Sequence, residues 1–193
     1  MNPPILIVPG VGNSGPDHWQ TLWELADPTM ARIRVENWDR PVCEAWVSAI
    51  EDGVRHAGGA VVVVAHSLGC LAFVHWAARH IEGALAAMLV AVPDPDGPNF
   101  PMAAQGFAPL PLAPLPCASI VVSSLDDPYS SPAYAERCAA AWGSMFVDIG
   151  HAGHINGASE LGDWPAGLEL LDRFRRYAAI SVSHEIQAPR PNS

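Results

Sequence analysis

The run Val61-Val62-Val63-Val64-Ala65 passes without a break into His66-Ser67-Leu68-Gly69 and then into an apolar stretch with helical spacing. Consecutive β-branched residues with no polar alternation describe a strand covered on both faces, the condition of a parallel sheet layered between helices. Five other short apolar runs, Ile5–Pro9, Ile33–Asn37, Ala87–Val92, Ser119–Ser124 and Met145–Ile149, read as strands. Helical patterns lie between or after them near Asp17–Ala26, Cys43–His56, Leu68–Arg79, Pro132–Trp142 and Ala166–Ala179. Pro132 suits a first helical turn and Gly143 a helix stop. This alternation predicts a three-layer α/β domain with a mainly parallel sheet of about six strands.

A chain of 193 residues is long enough for one substantial core and short for two. Residues 1–180 are therefore expected to form a single domain and 181–193 a flexible tail. A hydrophobic content of 50% argues against general disorder, and a net charge of −10 disfavours nucleic acid and anionic membrane surfaces as partners. No apolar run approaches the roughly 18 residues of a membrane span, and the N-terminal residues lack the basic and apolar regions of an export signal. Cys43, Cys70, Cys117 and Cys138 are widely spaced and expected to be free thiols, which makes the cytoplasm the expected location.

Ser67 stands where a strand turns sharply into a helix, with the small residues Ala65 and Gly69 at −2 and +2. That is how a nucleophile elbow reads. A serine hydroxyl becomes nucleophilic when an imidazole accepts its proton, and the imidazole needs a carboxylate to fix its tautomer. In sheet hydrolases the three occur in the chain order serine, acid, histidine. Asp127 follows the strand Ser119–Ser124, and Pro128 restricts its backbone to an extended form; Asp126 and Asp94 are its rivals. His154 follows the strand Met145–Ile149, beside Gly153, and is preferred to His151. The oxyanion donors expected are the backbone N–H groups of Leu68 and of Val11, with Gly12 as the fallback for the latter. His18 and Trp19, at the start of the first helix, are expected to border the substrate cleft. The segment Pro93–Pro116, with eight prolines in 24 residues, is expected to close its opposite side as a wall or short lid.

Two other readings compete. Gly10-x-Gly12-x-x-Gly15 after a strand, with Glu36 further on, matches a dinucleotide-binding pattern. Against it, Pro16-Asp17 places a carboxylate where a pyrophosphate would need bare N–H groups. Seven tryptophans would serve a protein-interaction module if exposed, and core packing if buried. Neither a cofactor nor a metal is called for; the pair His151 and His154 lacks a third ligand at suitable spacing.

The chain resembles the small serine hydrolases typified by retinoblastoma-binding protein 9 and YdeN, a compact branch of the α/β-hydrolase fold. The resemblance rests on Ile7-Val8-Pro9-Gly10, Gly15-Pro16-Asp17-His18-Trp19-Gln20, Ala65-His66-Ser67-Leu68-Gly69, Ser124-Leu125-Asp126-Asp127-Pro128-Tyr129 and Gly153-His154-Ile155-Asn156. It implies an α/β-hydrolase fold without a large cap and a nucleophile, acid and base at Ser67, Asp127 and His154. The expected substrate is a small-molecule ester or related acyl compound.

Overall fold

The computed structural model describes residues 3–187. The described residues divide into two compact units, 3–163 and 164–187. The first carries the whole sheet. Its strands are β1 (Ile5–Val8), β2 (Met30–Arg32), β3 (Val61–His66), β4 (Ala84–Val90), β5 (Ala118–Ser123) and β6 (Met145–Asp148). Its helices are α1 (Trp19–Ala26), α2 (Cys43–His56), α3 (Leu68–Ala77) and α4 (Pro132–Trp142). The second unit is built on α5 (Pro165–Gln187). Residues 181–187 of the expected tail continue that helix, and 188–193 lie outside the described residues.

All strand pairs are parallel, in the order β2-β1-β3-β4-β5-β6. From β1 the chain first steps outward to β2, then returns past β1 to β3 and continues in the opposite direction. Right-handed crossovers therefore place α1 on one face of the sheet and α2, α3 and α4 on the other. The reversal leaves a crevice between the carboxyl ends of β1 and β3, where Val8 is in register with Ala65. Open parallel sheets bind their ligands at such a switch point.

Alternation along the strands fills both layers. Leu6, Val8, Val61, Val63, Ala65, Ala87, Leu89 and Val121 share one apolar cluster with Trp46, Leu71, Phe73, Trp76 and Trp142 from α2, α3 and α4. The alternate residues Ile5, Ile7, Val62 and Val64 face the other way and are equally buried. On α1, Gln20 is fully buried and donates to the carbonyls of Val8 and Val64. Trp19, Trp23, Trp46, Trp76 and Trp142 are all buried, so these indoles are core and not a docking surface.

Helix ends follow local chemistry. Pro132 opens α4 behind the cap Ser131, whose hydroxyl accepts from the Tyr134 N–H, and Gly143 closes it in the left-handed conformation. The second strand differs from the sequence expectation: it is Met30–Arg32, not Ile33–Asn37. Ile33 still donates to the Ile7 carbonyl, but Asn37 turns the chain by accepting from the N–H groups of Asp39 and Arg40. Among the described residues no helix is long and apolar enough to cross a membrane.

The close packing of α3 on β1 admits no side chain at Gly69, where a Cβ would collide with the carbonyl oxygens of Val8 and Pro9. Neither backbone can yield without disturbing the sheet. Gly69→Ala is expected to lower Tm by about 5–10 °C, the effect of roughly 2–3 kcal/mol of overpacking in a chain of this size, measured by circular dichroism.

Candidate active site

Ser67 is the junction of β3 and α3 and has φ 53° and ψ −127°. This backbone conformation is rare for a residue with a Cβ and lifts the hydroxyl out of the sheet. Two elements hold it: the Ser67 N–H donates to the Val90 carbonyl, and the Ser67 carbonyl accepts from the Cys70 N–H. Gly10 lies directly against it; a Cβ there would stand 2.8 Å from the Ser67 Cβ and 3.2 Å from its Oγ. The glycines of the first loop thus let that loop approach the serine. The helix begins only at Trp19, beyond Pro16 and Asp17, unlike a dinucleotide fingerprint that opens its helix.

The Ser67 hydroxyl is 2.8 Å from Nε2 of His154. Nδ1 of His154 is 2.9 Å from both carboxylate oxygens of Asp127. Since a carboxylate accepts, Nδ1 carries the hydrogen and Nε2 presents its lone pair to Ser67. The Asp127 side chain is 2% exposed, and its Oδ1 also accepts from the Tyr129 N–H, which fixes its direction. The Tyr129 ring lies 4.4 Å from that of His154. Ser67, His154 and Asp127 are therefore joined in series by hydrogen bonds.

Asp126 and Asp94 take other positions. Oδ1 of Asp126 accepts from the Ser124 hydroxyl and from the N–H groups of Ala152 and Gly153, so it shapes the loop bearing His154. The Ser124 hydrogen bond, followed by that from Gly153, holds its carboxyl below the usual carboxylate range. Asp94 accepts from the Asp96 N–H in a turn of its own. His151 is exposed, 3.8 Å from Asp126. Among the described residues no cluster of three or more His, Cys, Asp or Glu side chains could hold a metal ion.

A cleft of about 630 Å³ opens at Ser67, lined by Val11 and His18 of the first loop and by Pro93, Asn99 and Pro101 of the proline-rich segment. That segment is a pinned wall. Gln105 exchanges backbone hydrogen bonds with Pro41 and Cys43, and the carbonyls of Phe107 and Pro111 accept from His75 and Trp142. Asn99 donates to the Pro128 carbonyl, while Phe107 is buried against Trp46.

His18 and Trp19 do not share one role. His18 lines the cleft and also caps α1, its Nδ1 accepting from the Gln20 N–H. Trp19 is 1% exposed and is not among the cleft-lining residues. Its large apolar ring gains more from burial beside Trp23, and its Nε1–H is satisfied by the Ile155 carbonyl at 2.8 Å. Nε2 of His66 lies 2.9 Å from the His154 carbonyl oxygen, a contact between residues 88 apart that spacing alone does not reveal.

A parallel sheet with a strained serine at its switch point, hydrogen-bonded through histidine to aspartate, defines an α/β serine hydrolase. The chain belongs to the serine hydrolase family, whose profile matches residues 5–173. Among solved structures, a protein from Pectobacterium atrosepticum described as a YdeN-like hydrolase is 33% identical, with 91% of each chain covered and a TM-score of 0.81. The ydeN gene product of Bacillus subtilis is 18% identical over 88% of this chain and 97% of that one, with a TM-score of 0.73. A thermophilic esterase from Thermogutta terrifontis is 19% identical over 91% and 90%, with a TM-score of 0.68. The last two likenesses are of fold. No curated protein matched the chain.

Burial lowers the pKa of His18 from 6.5 to about 4, with Arg32 and His154 adding repulsion. Burial, reinforced by His154 and His18, holds His66 well below its ordinary value. Each imidazole thus binds its proton more weakly folded than unfolded. The unfolded chain binds more protons below pH 6.5, so this contribution is complete above that pH and is lost as pH falls toward 4. His18→Asn keeps a capping side chain without the titrating ring. It is expected to lower Tm at pH 7, with the gap to the native protein narrowing by several degrees at pH 4.5.

Proposed function

We propose that the protein hydrolyses small, uncharged carboxylic esters through an acyl-Ser67 intermediate. The observation that carries this reading is the unbroken series Ser67 Oγ, His154 Nε2, His154 Nδ1 and Asp127 at 2.8 and 2.9 Å, standing at an open cleft. His154 takes the Ser67 proton as the hydroxyl attacks the ester carbonyl, then passes it to the departing alcohol. It next deprotonates a water that attacks the acyl carbon and returns the proton to Ser67 as the acid leaves. Asp127 orients the imidazole and stabilises its charged form.

The oxyanion is received by the N–H groups of Val11 and Leu68. Val11 is favoured over Gly12 because the Gly12 N–H already donates to the Trp38 carbonyl. Among the described residues no backbone hydrogen bond of a turn or loop uses the Val11 or Leu68 N–H. Leu68 opens α3, so its N–H lies at the positive end of the helix.

The cleft supports the substrate class. No lysine or arginine lines it among the described residues, Asp17 is the acidic residue of its lining, and His18 stays neutral near pH 7. An acidic acyl group would find no counter-charge there. The pinned wall, fixed along one side of the cleft, supports a short acyl chain. This reading takes residues 1–180 as one hydrolase domain, supported by the family match over 5–173. A cytoplasmic setting suits its four free cysteines.

The test is labelling with a fluorophosphonate probe, comparing the native protein with Ser67→Ala, followed by p-nitrophenyl esters of increasing chain length. Labelling is expected to vanish in Ser67→Ala, and kcat/KM for p-nitrophenyl acetate to fall by about 10⁴-fold or more in His154→Ala. Asp127→Asn is expected to lower it by ~10²–10⁴-fold. Equal labelling of the native and Ser67→Ala proteins would overturn the mechanism, and a preference for long-chain esters would overturn the substrate class.

A further inference from the structure

The segment carrying His154 is held in a conformation that its own residues disfavour. Ile155 follows at φ 48° and is completely buried. A β-branched residue in the left-handed region is strained, so the segment stays there only if its surroundings hold it. One internal contact is the Ile155 N–H donating to the Ala152 carbonyl. The two consecutive carbonyls of the segment are fixed from outside. Nε2–H of His66 donates to the His154 carbonyl at 2.9 Å, and Nε1–H of Trp19 donates to the Ile155 carbonyl at 2.8 Å.

Both donors stand on rigid elements. His66 is the last residue of β3 and Trp19 the first of α1. Their rings also meet each other, edge to face at 6.0 Å between centroids. His18 packs beside both rings, at 5.2 Å from Trp19 and 4.7 Å from His66. His66 has a second geometric consequence. It precedes Ser67, so two adjacent residues hold opposite ends of His154: His66 its backbone carbonyl and Ser67 its imidazole.

We infer that His66 and Trp19 are positioning residues that hold the His154–Ile155 backbone in its strained form, keeping the imidazole on both Ser67 and Asp127. The inference rests on the reading of His154 as the general base. Loss of either donor lets Ile155 relax toward negative φ and carries the imidazole away from the serine. A displacement of about 1 Å at such a site lowers the chemical rate by ~10²-fold.

The test uses the full chain, with active sites counted by the burst of a fluorophosphonate probe so that misfolded protein does not enter the rate. Trp19→Phe keeps an aromatic ring and removes the N–H together with the pyrrole half of the indole. His66→Leu removes the donor, whereas His66→Gln returns an N–H near the position of Nε2. Trp76→Phe, whose buried indole donates to Glu51 and lies by Gly83 before β4, away from the site, is the control for loss of a buried indole donor.

Per active site, kcat for p-nitrophenyl acetate is expected to fall about tenfold in Trp19→Phe and about 10²-fold in His66→Leu. KM should remain within threefold in Trp19→Phe, since Trp19 does not line the cleft. His66→Gln should recover most of the loss. Trp76→Phe should lose stability while keeping kcat. Unchanged kcat per active site in both Trp19→Phe and His66→Leu would overturn the inference, as would equal kcat in His66→Gln and His66→Leu. If Ser67→Ala abolishes labelling while these variants stay fully active, this inference alone falls; if Ser67→Ala labels normally, the underlying mechanism falls first.

Discussion

Ser67 holds a backbone conformation that an isolated serine would leave at once, and the carboxyl end of the sheet is organised around keeping it there. The strand before it is clamped between β1 and β4, with Val63 paired to Leu6 on one side and Ala87 on the other. The helix after it is fully buried along most of its length, as its residues Leu71, Ala72 and Phe73 show. Neither side of the turn can relax without moving a core element. Gly10 and Gly69 follow from the same constraint, because the chain must pass within contact distance of the elbow on both sides. The strain at Ser67 is thus supported by the bulk of the hydrophobic core, and the site's geometry and the fold's stability share a common origin.

Much of this was legible in the sequence because it is written in local patterns. The unbroken run Val61–Val64 announces a doubly covered strand, and the helices Cys43–His56 and Pro132–Trp142 carry their own apolar spacing and end signals. The chain order of Ser67, Asp127 and His154 is the one that sheet hydrolases use, and the three stand hydrogen-bonded in series. Local pattern fails where a tertiary contact decides. The short edge strand settles on Met30–Arg32 because Arg32 is gripped by Asn13, Ser14, Thr21 and Glu24, none of them a neighbour in sequence. The indole of Trp19 turned out to face the core for the same reason: its acceptor is the Ile155 carbonyl, 136 residues away.

Charge at the site is managed by exclusion. The buried rings of His18 and His66 crowd the neighbourhood of His154, with His66 and His154 5.0 Å apart. Were the first two as basic as free imidazole, each could take up a proton near neutrality. Burial and mutual repulsion keep His18 and His66 neutral there. The same burial ties these residues to the acid sensitivity of the fold.

The wall formed by residues 93–116 has a consequence for the thermodynamics of binding. Its backbone is tied to α2, α3 and α4 through Cys43, His75 and Trp142. A flap that folds over its guest spends part of each encounter's favourable contact energy on ordering itself, and it must reorder in reverse before product departs. A surface already fixed has no such entropic debit and no opening step. On the proposed function, occupancy depends on complementarity between this fixed surface and the ester, and discrimination between esters on steric exclusion.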